Sequence, residues 1–135
     1  TNLVIDSMIE GYSLVEPVLN EYDQLIDLRY LNVNPAVTSI TGIPKIDYIG
    51  RTAREIFKDN VEPVFFKYNE QVYKTGKPVK FIEKFGELNH WYEVSICKVD
   101  KQLAIFFHDI TESVLVKQHL EESHRKYQKL FDNIP

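Results

Sequence analysis

The chain contains a single cysteine, Cys97, so no disulfide can form within it, and its composition suits a reducing compartment. It has no Asn-x-Ser/Thr acceptor, no apolar run long enough to cross a bilayer and no basic-then-apolar leader. The expectation is a soluble, cytoplasmic piece, with any membrane attachment left to other parts of a parent protein. Positive charge is scarce as well. Sixteen Lys and Arg against 20 Asp and Glu leave a net charge of −4, which offers no domain-wide field for phosphates and argues against general nucleic-acid binding. There is no Gly-rich phosphate cradle, no nucleophile with a matching base and no loop with paired acids, so a small α+β enzyme is disfavoured.

What the chain does have is apolar surface. At 44% hydrophobic and 13% aromatic residues over 135 positions, it can build one domain with a substantial core. Strand character is strongest from Pro78 to Glu112, in three segments joined by short polar links at Gly86–Asn89 and Asp100–Gln102. Val79, Phe81 and Phe85, then Tyr92, Val94 and Ile96, alternate with polar residues, and Leu103 to Phe107 is the most continuous apolar run. This pattern predicts an antiparallel meander with one face on a core.

Upstream, Asn2–Glu10 reads as a short amphipathic helix stopped by Gly11. Gly11–Asn20 and Leu25–Asn34 read as strands. Pro17 favours an edge or a bulge in the first, while the alternation of the second breaks between Ile26, Leu28, Tyr30 and Leu31, Val33, leaving its inward face open. Pro35–Gly42 and Ile43–Gly50 are short helical pieces. Thr52 with Glu55 forms a capping box for a third, and Asn60–Thr75 is the one substantial helix before the meander, with Val61, Val64, Phe65, Tyr68 and Val72 on one stripe. After the meander, Ser113–Phe131 is a final helix. Its Val116, Leu120, Ser123, Tyr127, Leu130 and Ile134 follow a four-three spacing, the seam of a coiled coil that needs a partner. The expected fold class is α+β: a five-stranded antiparallel sheet with short helices and one longer helix packed on one face, flanked by amphipathic helices at both ends.

Several stretches in this order resemble the PAS sensory domains. They are Asn32-Val33-Asn34-Pro35-Ala36 leading into Ile40-Thr41-Gly42, then Ile49-Gly50-Arg51-Thr52, His90-Trp91-Tyr92-Glu93-Val94 and Asp109-Ile110-Thr111-Glu112. The resemblance covers essentially the whole chain and divides it into a flanking helix at 1–10, a PAS domain at 11–112 and a signalling helix at 113–131. Residues 132–135 read as the start of a following domain, since Leu130–Pro135 repeats the character of Val4–Ile9. The resemblance implies a regulatory input module upstream of an output domain such as a histidine kinase, pairing as a homodimer through its flanking helices, without membrane insertion. It also implies a place for a small ligand between the sheet and the longer helix. No cofactor is predicted. Flavin photoreceptor members carry a reactive cysteine in Gly-Arg-Asn-Cys-Arg, where this chain has Gly50-Arg51-Thr52-Ala53-Arg54, and haem members use a histidine on the long helix, where 60–75 has none. The four histidines, His90, His108, His119 and His124, lack metal spacing, and His124 reads as a solvated helix residue rather than a phosphoacceptor.

Strand parity nominates the sites. The inward set, facing Phe65, Tyr68 and Val72, comprises Phe81, Glu83, Tyr92, Val94, Ile105 and Phe107, with Tyr68 and Tyr92 as polar handles or plain aromatic filling. Glu83 on that face either meets a polar ligand or reaches water near the strand end. The outward set, Trp91, Phe106 and His108, is expected to be covered by Ile5 and Met8 of the first helix, from the same or a second subunit, with Val116, Leu120 and Tyr127 continuing the interface. Two functions stand side by side: a ligand-gated sensor, or a ligand-free dimerisation relay whose interior Phe65, Phe81, Phe85 and Phe107 simply fill.

Overall fold

The computed structural model describes residues 9–85 and 90–132. Strands β1 (Gly11–Leu19) and β2 (Leu25–Val33) open the domain. Helix α1 (Pro35–Thr41), a 3-10 turn at Lys45–Asp47, helix α2 (Ala53–Phe57), a second 3-10 turn at Lys58–Asn60 and helix α3 (Pro63–Thr75) follow. Strands β3 (Val79–Phe85), β4 (His90–Val99) and β5 (Gln102–Asp109) then lead into helix α4 (Thr111–Asp132). The five strands form one antiparallel sheet in the order β2-β1-β5-β4-β3, so the expected α+β class and the meander are both present. Of the expected helix at 2–10 only Ile9 and Glu10 are described, and they form a bend; Ile5 and Met8, the link at 86–89 and Ile134 lie outside the described residues, as does the side chain of Phe85.

The register aligns inward side chains into rows across the sheet. Val79, Ile96, Ile105, Ser13 and Val33 are successive partners, as are Phe81, Val94, Phe107 and Gly11, and then Glu83, Tyr92 and Asp109. Tyr92, Val94, Ile96, Leu103 and Ile105 are buried against α1, α2 and α3 through Val37, Ala53, Phe65, Phe66 and Val72. Burying this hydrocarbon is the main force holding the helical layer on the sheet.

Two β-bulges explain the broken alternation of β2. Leu14 pairs with Asn32 and Val15 with Tyr30, skipping Leu31; Val18 pairs with Asp27 and Leu19 with Leu25, skipping Ile26. Each extra residue flips parity, so Leu25, Leu28, Tyr30 and Val33 all reach the core while Ile26 is exposed. Pro17 lies on an interior strand, but β5 pairs with β1 only from Gly11 to Val15, so among the described residues that side of β1 has no strand neighbour at Pro17.

Local chemistry sets the helix ends. Asn34 caps α1: its Oδ1 accepts from the amides of Val37 (3.2 Å) and Tyr12 (2.9 Å), and its Nδ2 donates to the Glu10 carbonyl at 2.8 Å. Thr52 and Glu55 form the expected capping box on α2. Helix α3 begins at Pro63 rather than Asn60, because residues 58–60 form the 3-10 turn and proline favours the first helical position. Its buried face is Phe65, Phe66, Asn69 and Val72, which adds Phe66 and Asn69 to the expected stripe and leaves Tyr68 half-buried. Gly11 serves packing: a Cβ there would come within 3.2 Å of Val37 and 3.4 Å of Ile40, so its hydrogen lets α1 approach β1 closely.

Candidate functional site

A cavity of about 490 Å³ lies between the sheet and the segment running from α1 to the start of α3, within the usual size for small-molecule sites of roughly 300–1,000 Å³. Ser13 of β1, Tyr92 of β4 and Phe107 of β5 form its floor. Val37, Ile40 and Thr41 of α1, Tyr48 after the 3-10 turn, and Ala53 and Phe57 of α2 form its roof, with Tyr30 of β2 behind them. Val61 and Phe65 close the side toward α3, and the exposed Asp59, Asn60 and Glu62 stand at the rim.

The roof is held by aromatic contact and a short hydrogen-bond chain. Tyr30, Tyr48 and Phe57 meet mutually, with ring centroids 5.0 to 6.5 Å apart. The Tyr48 hydroxyl donates to Thr41 Oγ1 at 2.8 Å, and Thr41 Oγ1 donates to the Val37 carbonyl at 2.9 Å. Burial raises the pKa of Tyr30, with Tyr48 and Asp27 adding to the shift; burial raises Tyr48 too, against the lowering effect of its bond to Thr41. Both phenols therefore stay neutral hydrogen-bonding groups at ordinary pH. Ser13 is fully buried, and its Oγ has no hydrogen-bond partner among the described residues.

Of the residues nominated for the pocket, Phe65, Tyr92 and Phe107 line this cavity, with Phe65 and Phe107 stacked at 6.4 Å. Tyr68, Val72, Phe81, Glu83, Val94 and Ile105 do not. Val72, Val94 and Ile105 are wholly enclosed in the packed core, and Tyr68 stacks on Phe81 at 4.3 Å, filling the space over the β3 side. Glu83, opposite Tyr92, is half-buried at the far end of β3. The hollow thus lies under α1 and α2 rather than along α3. Tyr30, Tyr48, Phe57 and Ser13 escaped sequence reasoning, three because their elements have irregular periodicity and Ser13 because a small polar residue carries no core signal. Ala53 did carry one: it stands in the stretch aligned with the photoreceptor cysteine motif.

Tyr92 also belongs to the exit of the sheet. Its register partner Asp109 lies 3.1 Å from His90 (Oδ2 to Nδ1) and accepts the Thr111 amide on Oδ1 at 2.9 Å. Thr111 Oγ1 accepts the Trp91 amide at 2.8 Å, and the Ile110 amide donates to the Trp91 carbonyl at 2.9 Å, so β4 grips the first turn of α4. Hydrogen bonding from Thr111 holds the Asp109 carboxyl below its ordinary range; burial, next in size, opposes it, and His90 adds a smaller lowering effect. Burial, then the Asp109 charge, raises Tyr92.

On the opposite face Trp91 is half-buried with Lys84 Nζ 5.9 Å from its ring, Phe106 packs on Tyr12 at 5.3 Å, and His108 is exposed with Nδ1 3.6 Å from Glu10. Val116, Leu120 and Tyr127 project from α4 with more than half of their surface exposed, as does Leu130. Among the described residues no group of His, Cys, Asp and Glu is arranged to hold a metal ion, and no helix is long and apolar enough to cross a membrane.

A family model described as the PAS fold matches residues 26–115. Among solved structures, an RNA-binding light-oxygen-voltage receptor superposes with a TM-score of 0.66 at 17% identity over 95% of this chain, which spans 36% of that receptor chain. A domain of an HTR-like protein from Haloarcula marismortui ATCC 43049 gives a TM-score of 0.58 at 15% identity, covering 77% of this chain and 100% of that one. At these identities the likeness is one of fold. A comparison with curated proteins found no match.

Proposed function

Since this chain belongs to the PAS-fold family, a family of sensory and signalling modules, we propose that it is an input module in which occupancy of the cavity is relayed through β4 to helix α4. The observation that carries this reading is the double position of Tyr92, in the cavity floor and beside Asp109, whose carboxylate holds the start of α4. A ligand that favours one placement of Tyr92 would bias the Asp109–Thr111–Trp91 contacts and with them the direction of α4. This role is regulatory rather than catalytic.

The exposed seam of Val116, Leu120, Tyr127 and Leu130 supports pairing of two copies through α4, with an output domain such as a histidine kinase beyond it. Residues 11–112 then form the sensory domain and 113–131 the signalling helix, in a cytoplasmic setting that fits the lone Cys97. Native mass spectrometry, with and without denaturation, tests the reading. We expect a dimer carrying a reproducible extra mass that unfolding releases, and Tyr92→Phe should reduce its retention. A clean dimer that takes up no small molecule would replace the sensor with a ligand-free relay.

A further inference from the structure

The walls of the cavity restrict what it can hold, and the restriction comes from three observations. Ser13 stands on the inward face of β1 between its cross-strand partners Val33 and Ile105, both hydrocarbon and both buried, and among the described residues its hydroxyl has no hydrogen-bond partner. Buried hydroxyls are almost always paired, because an unpaired one loses its bonds to water without replacement. Alanine would fill the same place at no such cost. Ser13 is among the residues that line the hollow.

Charge is the second restriction. Among the described residues, the ionisable groups that line the cavity are tyrosine hydroxyls and the carboxylates of Asp59 and Glu62, with no Lys, Arg or His. A buried anion would shed its water with no positive partner and with two negative groups at the mouth. A cation held at the rim meets the opposite situation. Shape is the third: the Tyr30–Tyr48–Phe57 group and the stacked Phe65–Phe107 pair present ring faces and edges, surfaces that a flat molecule covers well.

We propose that the cavity takes a planar, uncharged ring system whose one hydrogen-bonding edge group meets Ser13, that it accepts a positive substituent at the Asp59–Glu62 rim, and that it refuses anionic ligands. This rests on the reading of the cavity as the sensory site.

The test is a titration of the whole chain, followed through its backbone amides by NMR, with three probes that share one ring: indole, tryptamine and indole-3-acetate. Indole and tryptamine should give saturable shifts at Ser13 and Phe107, and indole-3-acetate none at the same concentration. Equal or tighter binding of indole-3-acetate would overturn the charge rule and leave the sensory cavity standing. Silence from all three, together with no released mass in native spectrometry, would remove the cavity reading itself. Ser13→Ala supplies the second arm. It should raise the melting temperature of the empty protein, by removing an unpaired buried hydroxyl, while weakening indole by about three- to tenfold, the worth of one ordinary hydrogen bond. An unchanged indole affinity, or a lowered melting temperature, would overturn the assignment of Ser13.

Discussion

The inner face of this sheet has two halves that use the same kinds of residue to opposite ends. Over β3 and the adjoining part of β4, Tyr68 lies flat on Phe81, and Val72, Val94 and Ile96 are fully enclosed. Over β1 and the end of β5, Tyr30, Tyr48, Phe57, Phe65 and Phe107 are as bulky, yet they stand around a hollow of about 490 Å³. The difference lies in the cover. A helix of 13 residues presents a continuous stripe that interlocks with the strands, whereas helices of seven and five residues joined by tight turns hold their rings edge to edge as a roof. Aromatic content alone does not fill an interior; continuity of the covering element does.

The comparison is broken most directly by truncating one side chain in each half. Ile96→Ala, in the solid half, should cost about 2–5 kcal/mol in chemical denaturation, because the enclosed site cannot collapse. Ile40→Ala, in the roof of the hollow, should cost less than about 2 kcal/mol, since only part of its contact surface is protein. Equal losses would mean that the two halves are packed alike.

Thr52→Ala sharpens the contrast by removing a side-chain cap from the roof while leaving the backbone groups that bridge Thr52 to Arg29 of β2. Loss of the capping box should cost about 1 kcal/mol, and amide exchange should accelerate over Ala53–Phe57 while Val72 and Ile96 stay protected. Uniform acceleration in both halves would count against a separately held roof.

The smallest expected effect is at the sheet exit. The Asp109 carboxyl is held below its ordinary range in the folded chain, so the stability it contributes is present above the unfolded value of about 3.9 and is lost as pH falls through the lower folded value. With its side chain 43% exposed, water screens much of that contribution. Asp109→Asn should therefore flatten only the acid end of the stability profile, read by melting temperature against pH. A flattening near neutrality would point to another group.

Much of this was legible in the residues. The meander, the capping box at Thr52 and the opposite facing of Tyr92 and Trp91 follow from alternation and local hydrogen bonding, which depend on near neighbours. The pocket wall was legible only in part. Phe65, Tyr92 and Phe107 sit on regular elements whose parity can be counted, whereas Tyr30 lies between two bulges and Tyr48 follows a 3-10 turn, where no period runs long enough to count. Nor could residue type separate Phe81, pressed on Tyr68, from Phe107, open to the cavity.

By itself the sequence determined the order of elements, where they stop and which side of each regular strand is apolar, because these are set by backbone chemistry within a few residues. Tertiary structure alone decided which residues of β2 turn inward, where the interior stays hollow and which carboxylate meets the start of α4. Those outcomes depend on register between strands and on the fit of covering helices, interactions among residues far apart in the chain that no local pattern encodes.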